Sequence, residues 1–148
     1  MIRWGILGAG SVARRRAIPA MQASTTGTVR RLMVRDAERA ARLAEKLGVP
    51  AHTDRVEVLL ADPEVDAVYV SSPVNLHREH VLAAADAGKH VLCEKPMGLT
   101  AAECAEMTAA CARAGVHLEV CFVLRGWPLY QQVRALIAGG QVGRVVQL

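Results

Sequence analysis

The sequence predicts an α/β fold in which helices cover both faces of a doubly wound parallel sheet. Two observations support this prediction. Short apolar segments alternate with longer segments of helical periodicity over residues 1–122, which is the pattern of strands joined by helical crossovers. The connections between them are short, about two to six residues, as is usual in such units. A chain of 148 residues also has the length of one domain.

The first strand is predicted at Ile2–Leu7, and a glycine-rich turn follows it. The turn has the pattern G-x-G-x-x-A, in the residues Gly8-Ala9-Gly10-Ser11-Val12-Ala13. Gly8 permits a tight turn, Gly10 lets the backbone approach a pyrophosphate, and the small Ala13 allows close packing of helix on strand. A helix that begins near Ser11 presents free N–H groups to phosphates. The pattern predicts a dinucleotide-binding turn, with an ordinary glycine-rich turn as the alternative. Its binding residues are Gly8, Gly10, Ser11 and Val12.

The remaining elements follow from the same periodicities and from their end signals. Further strands are predicted at residues 28–34, 51–52, 67–70, 90–93, 116–122 and 142–148. Helices are predicted at residues 36–47, 54–60, 76–87 and 129–138, and between the cap residues Thr100 and Gly115. We expect Pro19 to break or kink the first helix, because proline lacks a backbone N–H.

Two of these helices begin with pairs that have the spacing of a capping box. The pairs are Asp54 with Glu57 and Thr100 with Glu103. The periodicity also predicts the buried face of the helix that Thr100 caps. That face consists of Cys104, Met107, Cys111 and Ala114.

Composition excludes several classes of function. The chain carries 18 Lys and Arg against 14 Asp and Glu, a formal net charge of +4. Arg14, Arg15 and Arg16 are not interleaved with aromatic residues, and no DNA-binding motif accompanies them, so we expect no nucleic-acid partner. Without a membrane-spanning apolar run or a signal peptide, we expect a cytoplasmic protein with no membrane partner. The four cysteines lack zinc spacing, so we expect free thiols and no metal site.

Ligands of doubly wound sheets bind at the carboxyl ends of the strands, near the point where the strand order reverses. Three predicted loops lie at such ends. They are residues 8–13, 71–77 and 94–98. We therefore expect the functional residues to lie in these loops.

Four segments of the chain, in this order, resemble the Gfo/Idh/MocA family of oxidoreductases. They are the turn GAGSVA at residues 8–13, DAVYV at 66–70, SPVNLH at 72–77 and AGKHVLCEKP at 87–96. The last segment is the most specific of them. The resemblance covers essentially the whole chain, but only the N-terminal half of the family's pattern.

The resemblance implies an NAD(P)-dependent oxidoreductase that acts on a sugar, polyol, inositol or dihydrodiol. In the family, the Glu-Lys-Pro loop lies beside the nicotinamide. The resemblance therefore implies that Lys95 is the catalytic residue and hydrogen-bonds the substrate oxygen. Glu94 would hold the nicotinamide ribose or orient Lys95, and Pro96 would stiffen the loop. A surface ion pair of Glu94 with Lys95 is the alternative.

The resemblance also assigns cofactor contacts to the loop after the fourth strand. The residues are Ser72, Pro73, Asn75 and His77. Val74 departs from the family, in which asparagine is common at this position. His77 either approaches the cofactor or substrate, or bonds the backbone at the start of a helix.

The end of the second strand bears on the choice of cofactor. An acidic residue there binds the ribose hydroxyls and favours NAD. Val34 occupies this position and Arg35 follows it. Because a guanidinium pairs well with a 2′-phosphate, the sequence favours NADP over NAD. Asp36 could serve as the acidic residue if the strand ended later, or it could cap the next helix.

Two domains are expected, a dinucleotide-binding domain at residues 1–122 and the start of a second domain at residues 123–148. The resemblance implies that a complete second domain would supply most of the substrate pocket and the interface of a homo-oligomer. The expected partner is a small molecule of the sugar or polyol class. A non-catalytic dinucleotide-binding or regulatory module of the same fold is the competing hypothesis.

Overall fold

The sheet at the centre of the molecule has six strands, all parallel, in the order β3-β2-β1-β4-β5-β6. The computed structural model describes residues 1–146. The strands are β1 Ile2–Leu7, β2 Gly27–Met33, β3 Ala51–Thr53, β4 Ala67–Val70, β5 His90–Cys93 and β6 Leu118–Val120. The strand order reverses between β1 and β4, which are neighbours. This arrangement confirms the predicted doubly wound fold and puts its ligand edge at the carboxyl ends of β1 and β4.

The helices cover both faces of the sheet. They are α1 Ile18–Ala23, α2 Ala37–Leu47, α3 Val56–Leu60, α4 His77–Asp86, α5 Ala101–Ala114 and α6 Pro128–Ala138. One hydrophobic cluster joins α1 and α2 to Ile6, Leu32 and Tyr69. The other joins α3, α4 and α5 to Leu7 and Val68. Since side chains alternate across a strand, Ile6 and Leu7 belong to opposite clusters.

The first helix does not break at Pro19. A π-helical turn, Ala13–Ala17, leads directly into α1. Pro19 lies in the first turn of α1, where the missing N–H removes no α-helical hydrogen bond. The break predicted at Pro19 is therefore wrong, and the irregularity of this helix is the π-helical turn ahead of the proline.

Capping was predicted correctly for α2 and α5 and wrongly for α3. Thr100 Oγ1 accepts a hydrogen bond from the N–H of Glu103 at 3.1 Å. In α3 the N-cap is Arg55, and no side chain caps the helix. The carboxylate of Glu57 instead accepts a hydrogen bond from Arg55 Nε at 2.8 Å. This charge pair competes for the carboxylate that the capping box with Asp54 requires.

The face of α5 that packs on the sheet differs by one residue from the predicted face. Met107 and Cys111 are buried as expected, and Cys104 is half-buried. Ala114 is exposed, while Ala110 is buried. Ala114 is the last residue of the helix, next to the left-handed Gly115 that turns the chain away.

The end of the chain contains less strand than predicted. β6 is shorter than residues 116–122, because Val116 donates to Cys111 O as part of the cap of α5. The strand predicted at residues 142–148 is absent from residues 142–146, and residues 147–148 lie outside the described part of the chain. Gly143 adopts a left-handed φ of 68° and donates to Gly140 O at 3.1 Å, which makes a turn of this segment.

An ion pair fastens β1 to the start of β4 at the opposite end of the sheet from the glycine-rich turn. Arg3 donates to both oxygens of Asp66, through Nε at 3.0 Å and Nη2 at 2.6 Å. These hydrogen bonds lower the pKa of Asp66 to about 2. The carboxylate therefore stays charged well into the acid range and keeps the register of the two central strands.

Candidate functional site

Three loops meet at the carboxyl edge of the sheet. They are the glycine-rich turn after β1, the serine loop after β4 (residues 71–73) and the lysine loop after β5 (residues 94–99). Gly8 has a φ of +91°, and a Cβ on it would lie 2.8 Å from the backbone nitrogen of Ser72. Only glycine fits such a position. Its requirement was predicted from the pattern, and the neighbour that enforces it is the serine loop.

Ser71 and Ser72 connect the serine loop to its surroundings. Ser71 donates through its N–H to Leu7 O at 2.9 Å and through Oγ to Gly8 O at 2.8 Å. The hydroxyl of Ser72 lies 2.9 Å from Nδ1 of the buried His80. Burial lowers the pKa of His80, which favours a neutral ring whose Nδ1 can accept this bond. The turn and the serine loop thus form one hydrogen-bonded unit.

The larger of two cavities at this edge has a volume of about 560 Å³ and extends to the end of β2. Residues predicted from the sequence that line it are Gly8, Gly10, Arg35, Ser72 and Pro73. Arg39 and His80 also line it, although the sequence analysis did not select them. Arg39 lies in the first turn of α2, where its N–H bonds the cap residue Asp36, so the predicted start of this helix could have indicated that Arg39 lies close to the end of β2.

Asp36 also lines this cavity, and it caps α2. Its Oδ1 accepts a hydrogen bond from the N–H of Arg39 at 2.7 Å. The capping alternative of the sequence analysis is therefore correct, and one oxygen of the carboxylate is occupied by the chain itself.

The smaller cavity, of about 290 Å³, lies between the turn and the lysine loop. Six predicted residues line this cavity and not the larger one: Ser11, Val12, His77, Glu94, Lys95 and Pro96. Gly10, Ser71 and Ser72 line both cavities, so the two adjoin each other at the glycine-rich turn and together make up a cleft. Asn75 is exposed and lines neither cavity.

Glu94 is held in place by two donors. Tyr69 donates its hydroxyl hydrogen to Oε1 at 2.5 Å, and the N–H of Lys95 donates to Oε2 at 3.1 Å. Burial and the bond to Glu94 raise the pKa of Tyr69 above its usual range, so the phenol keeps its proton and remains a donor. Sequence analysis placed Tyr69 only in a strand, since its partner is 25 positions away. Glu94 therefore braces the backbone of the lysine loop.

Lys95 is exposed at the rim of the smaller cavity. Within residues 1–146, its ammonium group has no carboxylate at salt-bridge distance. Glu94 contacts the backbone of Lys95 rather than its side chain. The surface ion pair considered for these two residues is therefore not formed, and the ammonium group is available to a ligand in the cleft.

His77 is buried at the start of α4, and both of its ring nitrogens face backbone carbonyls. Nδ1 lies 3.0 Å from Pro96 O, and Nε2 lies 2.9 Å from Ser72 O. A neutral imidazole has one N–H, so only a doubly protonated ring donates to both carbonyls. Of the two interpretations of His77, the backbone contact is the one that the geometry supports.

Cys93 lies beside His77, with its Sγ 3.5 Å from Nδ1. Burial raises the pKa of this thiol to about 12. It is thus a neutral, buried thiol at the end of β5. In the described part of the chain, no group of three or more His, Cys, Asp or Glu residues is arranged to hold a metal ion. None of the helices within residues 1–146 is both long and apolar enough to cross a membrane.

The strand order and the turn after β1 define a Rossmann-type domain. A family model described as "Oxidoreductase family, NAD-binding Rossmann fold" matches residues 2–122. The chain belongs to this family, the Gfo/Idh/MocA oxidoreductases. The resemblance inferred from four short segments is thereby confirmed.

Several relatives cover almost the whole chain. It is 45% identical over 146 residues to a 1,5-anhydro-D-fructose reductase from Ensifer adhaerens, across 99% of this chain and 44% of the relative. It is 41% identical over 145 residues to D-xylose 1-dehydrogenase (NADP(+)) 2 from Haloferax volcanii, across 98% of this chain and 44% of the relative.

A solved structure also matches almost the whole chain. A 3-ketoreductase from Actinomadura kijaniata, crystallised with NADP and TDP-benzene, superimposes with a TM-score of 0.88 at 34% identity. The alignment covers 94% of this chain and 42% of that one. The chain thus spans less than half the length of these relatives.

Proposed function

We propose that this chain is the dinucleotide-binding domain of an NADP-dependent oxidoreductase. The reaction is hydride transfer between the cofactor and a hydroxyl or carbonyl group of a small molecule, of the sugar or polyol class. The observation that carries the proposal is the pair of adjoining cavities. Two arginines line one of them, and the other is lined by a lysine that has no salt-bridge partner within residues 1–146. The names of the relatives, a sugar dehydrogenase and two reductases, support the same class of reaction.

The fit of a dinucleotide is supported by the space at Gly10. A Cβ built on this residue meets no atom of the chain closer than Ser71 O at 3.7 Å. The chain's own packing therefore does not require glycine here, in contrast to Gly8. A pyrophosphate that approaches the backbone at the start of a helix does require it.

Arg35 and Arg39 support NADP as the cofactor. Guanidinium groups pair with phosphate through two parallel hydrogen bonds, and both arginines line the larger cavity. The acidic residue that lines this cavity, Asp36, is engaged as the cap of α2. The relatives from H. volcanii and A. kijaniata, whose names include NADP, agree with this choice.

In the proposed reaction, bound NADP supplies or accepts the hydride. The Lys95 ammonium hydrogen-bonds the substrate oxygen and stabilises the negative charge that develops on it. Glu94, braced by Tyr69, holds the backbone from which Lys95 projects. Ser11 and Val12 at the other wall of the smaller cavity bind the cofactor phosphates through the helix start.

We also propose that residues 123–148 form the junction to a second domain, which completes the substrate pocket and pairs subunits into a homo-oligomer. The family match ends at residue 122, and α6 has no buried residue. All four cysteines are unpaired, which supports a reducing, cytoplasmic location.

Calorimetric titration of the chain with NADPH and NADH tests the cofactor assignment. We expect tighter binding of NADPH. Arg35→Ala should weaken NADPH binding by about 1–3 kcal/mol, the contribution of a charge-assisted hydrogen bond, and leave NADH almost unchanged. Arg42→Ala is the control, because Arg42 is an exposed arginine of α2, the helix that follows Arg35, and it pairs with Glu38.

Each outcome of this titration is informative. An equal loss for both cofactors would exclude Arg35 as the 2′-phosphate ligand. If neither NADPH nor NADH binds, the proposed function itself is contradicted.

A further inference from the structure

The lysine loop has few hydrogen bonds that hold its centre, although Met97 packs against the hydrophobic cluster of α3, α4 and α5. Its first residue, Glu94, donates to Val70 O at 2.9 Å, and its last residue, Leu99, donates to Glu103 Oε2 at 2.8 Å. Between these ends, the hydrogen bond of Pro96 O with His77 is the shortest hydrogen bond to another element within residues 1–146. The next is a weak one, from Cys93 Sγ to Met97 O at 3.9 Å.

The same histidine contacts the serine loop. Its Nε2 lies 2.9 Å from Ser72 O, and Ser71 of that loop donates to Gly8 O. A series of hydrogen bonds therefore leads from the glycine-rich turn through the serine loop to the lysine loop. His77 is the member of the series that crosses from β4 to β5, and α4 fixes its backbone.

We infer that His77 is a positioning residue that fastens the lysine loop, and with it Lys95, to the serine loop. It does so through Nδ1–H, which donates to Pro96 O. The consequence for cofactor binding rests on the proposed function: the nicotinamide half of the cleft depends on His77, and the half near Arg35 does not.

Two amide variants separate this role from simple filling of space. The amide nitrogen of asparagine is as many bonds from Cα as Nδ1 of histidine, whereas that of glutamine matches Nε2. His77→Asn therefore keeps the donor to Pro96 O, and His77→Gln keeps the donor to Ser72 O. His77→Ala keeps neither, and His90→Asn is a control at an exposed histidine at the amino end of β5.

Backbone ¹⁵N relaxation of the 148-residue chain without ligand measures the order of the lysine loop. For the wild type, His77→Asn and the control, we expect order parameters of about 0.85 at Lys95 and Met97. For His77→Gln and His77→Ala, we expect values below about 0.6. Equal values in the Asn and Gln variants would overturn the inference, whether or not the alanine variant folds.

The wild-type chain provides a test that needs no variant. A long-range ¹H–¹⁵N spectrum of the histidine rings reports which nitrogen carries hydrogen. We expect a hydrogen on Nδ1 of His77, and a bare Nδ1 would overturn the inference because Pro96 O would then have no donor.

Ligand binding then tests the consequence. His77→Gln should weaken NADPH about three- to tenfold, the effect of one hydrogen bond, and leave adenosine 2′,5′-bisphosphate unchanged, because that probe occupies only the end near Arg35. Equal weakening of both probes would contradict the positioning role. If the wild type binds neither probe, the proposed function fails, while the relaxation and ring measurements still decide the role of His77.

Discussion

Residues 1–121 and residues 122–146 differ in how completely they pack. The first region contains all the buried residues of the two hydrophobic clusters. In the second region every residue is exposed except Ile137, which is half-buried. Its apolar side chains face outward all the same, among them Val123, Trp127, Leu129, Val133 and Leu136.

The comparison separates two uses of apolar residues. In the first region they form a core that is closed on both faces of the sheet. In the second they form an exposed surface on α6 and its flanking turns, and large exposed apolar patches mark interaction sites. This contrast agrees with the proposed junction to a second domain, and it predicts different responses of the two regions to the same substitution.

The largest difference should appear between Leu7→Ala and Leu129→Ala. Leu7 is fully buried, whereas Leu129 is 63% exposed. Removing a buried leucine side chain costs about 2–5 kcal/mol because it leaves a cavity, and an exposed one changes stability by about 0.5 kcal/mol or less. Urea unfolding of the chain measures both free energies.

The two outcomes sharpen the comparison in different ways. A large loss for Leu129→Ala would show that α6 is packed in solution, for example against a second copy of the chain. A small loss for Leu7→Ala would contradict the core described for β1.

The comparison extends to catalysis, because the first region carries Lys95 and the second leads to the proposed substrate domain. In a form of the chain that includes this domain, Lys95→Met should lower turnover about 10²–10³-fold, the cost of a lost electrostatic contact in the transition state. Affinity for NADPH should change much less. The 148-residue chain alone should show no measurable turnover.

An assay over sugars, polyols and dihydrodiols, followed at the nicotinamide absorbance, checks these expectations. Turnover by the 148-residue chain that disappears on Lys95→Met would show that the first region suffices. Turnover of the longer form that survives Lys95→Met would remove Lys95 from the mechanism. NADPH binding without turnover in that form would favour the non-catalytic module.

Sequence reasoning correctly predicted the structural features that depend on local sequence patterns. The strand Ile2–Leu7, the turn at Gly8 and the cap at Thr100 depend on neighbours within a few positions, so the sequence contains their signals. The doubly wound fold was also predicted correctly, because an alternation of short strands and helices permits few topologies.

The parts that sequence reasoning missed depend on distant residues or on competition between nearby ones. The partner of Tyr69 is Glu94, 25 positions away. A backbone contact was considered for His77, but its partner Pro96 is 19 positions away, so only the fold identifies it. At α3, Arg55 takes the carboxylate of Glu57 from the expected capping box. The outcome of such a competition depends on geometry that spacing alone does not describe.

The smallest effect should follow from removal of residues 123–148. Because no residue of the described part of this segment, 123–146, is buried in the two clusters, the free energy of unfolding of residues 1–122 should change by about 0.5 kcal/mol or less. The affinity for NADPH should also be unchanged, since every residue that lines the cleft precedes residue 97. Urea unfolding and calorimetric titration of the shortened chain measure the two quantities.

A loss of stability comparable to that of Leu7→Ala would mean that α6 contributes to the core, and it would remove the distinction between the two regions. A loss of NADPH affinity with stability preserved would instead show that the segment reaches the cofactor. Neither result agrees with a domain whose core and cleft are both complete by residue 122.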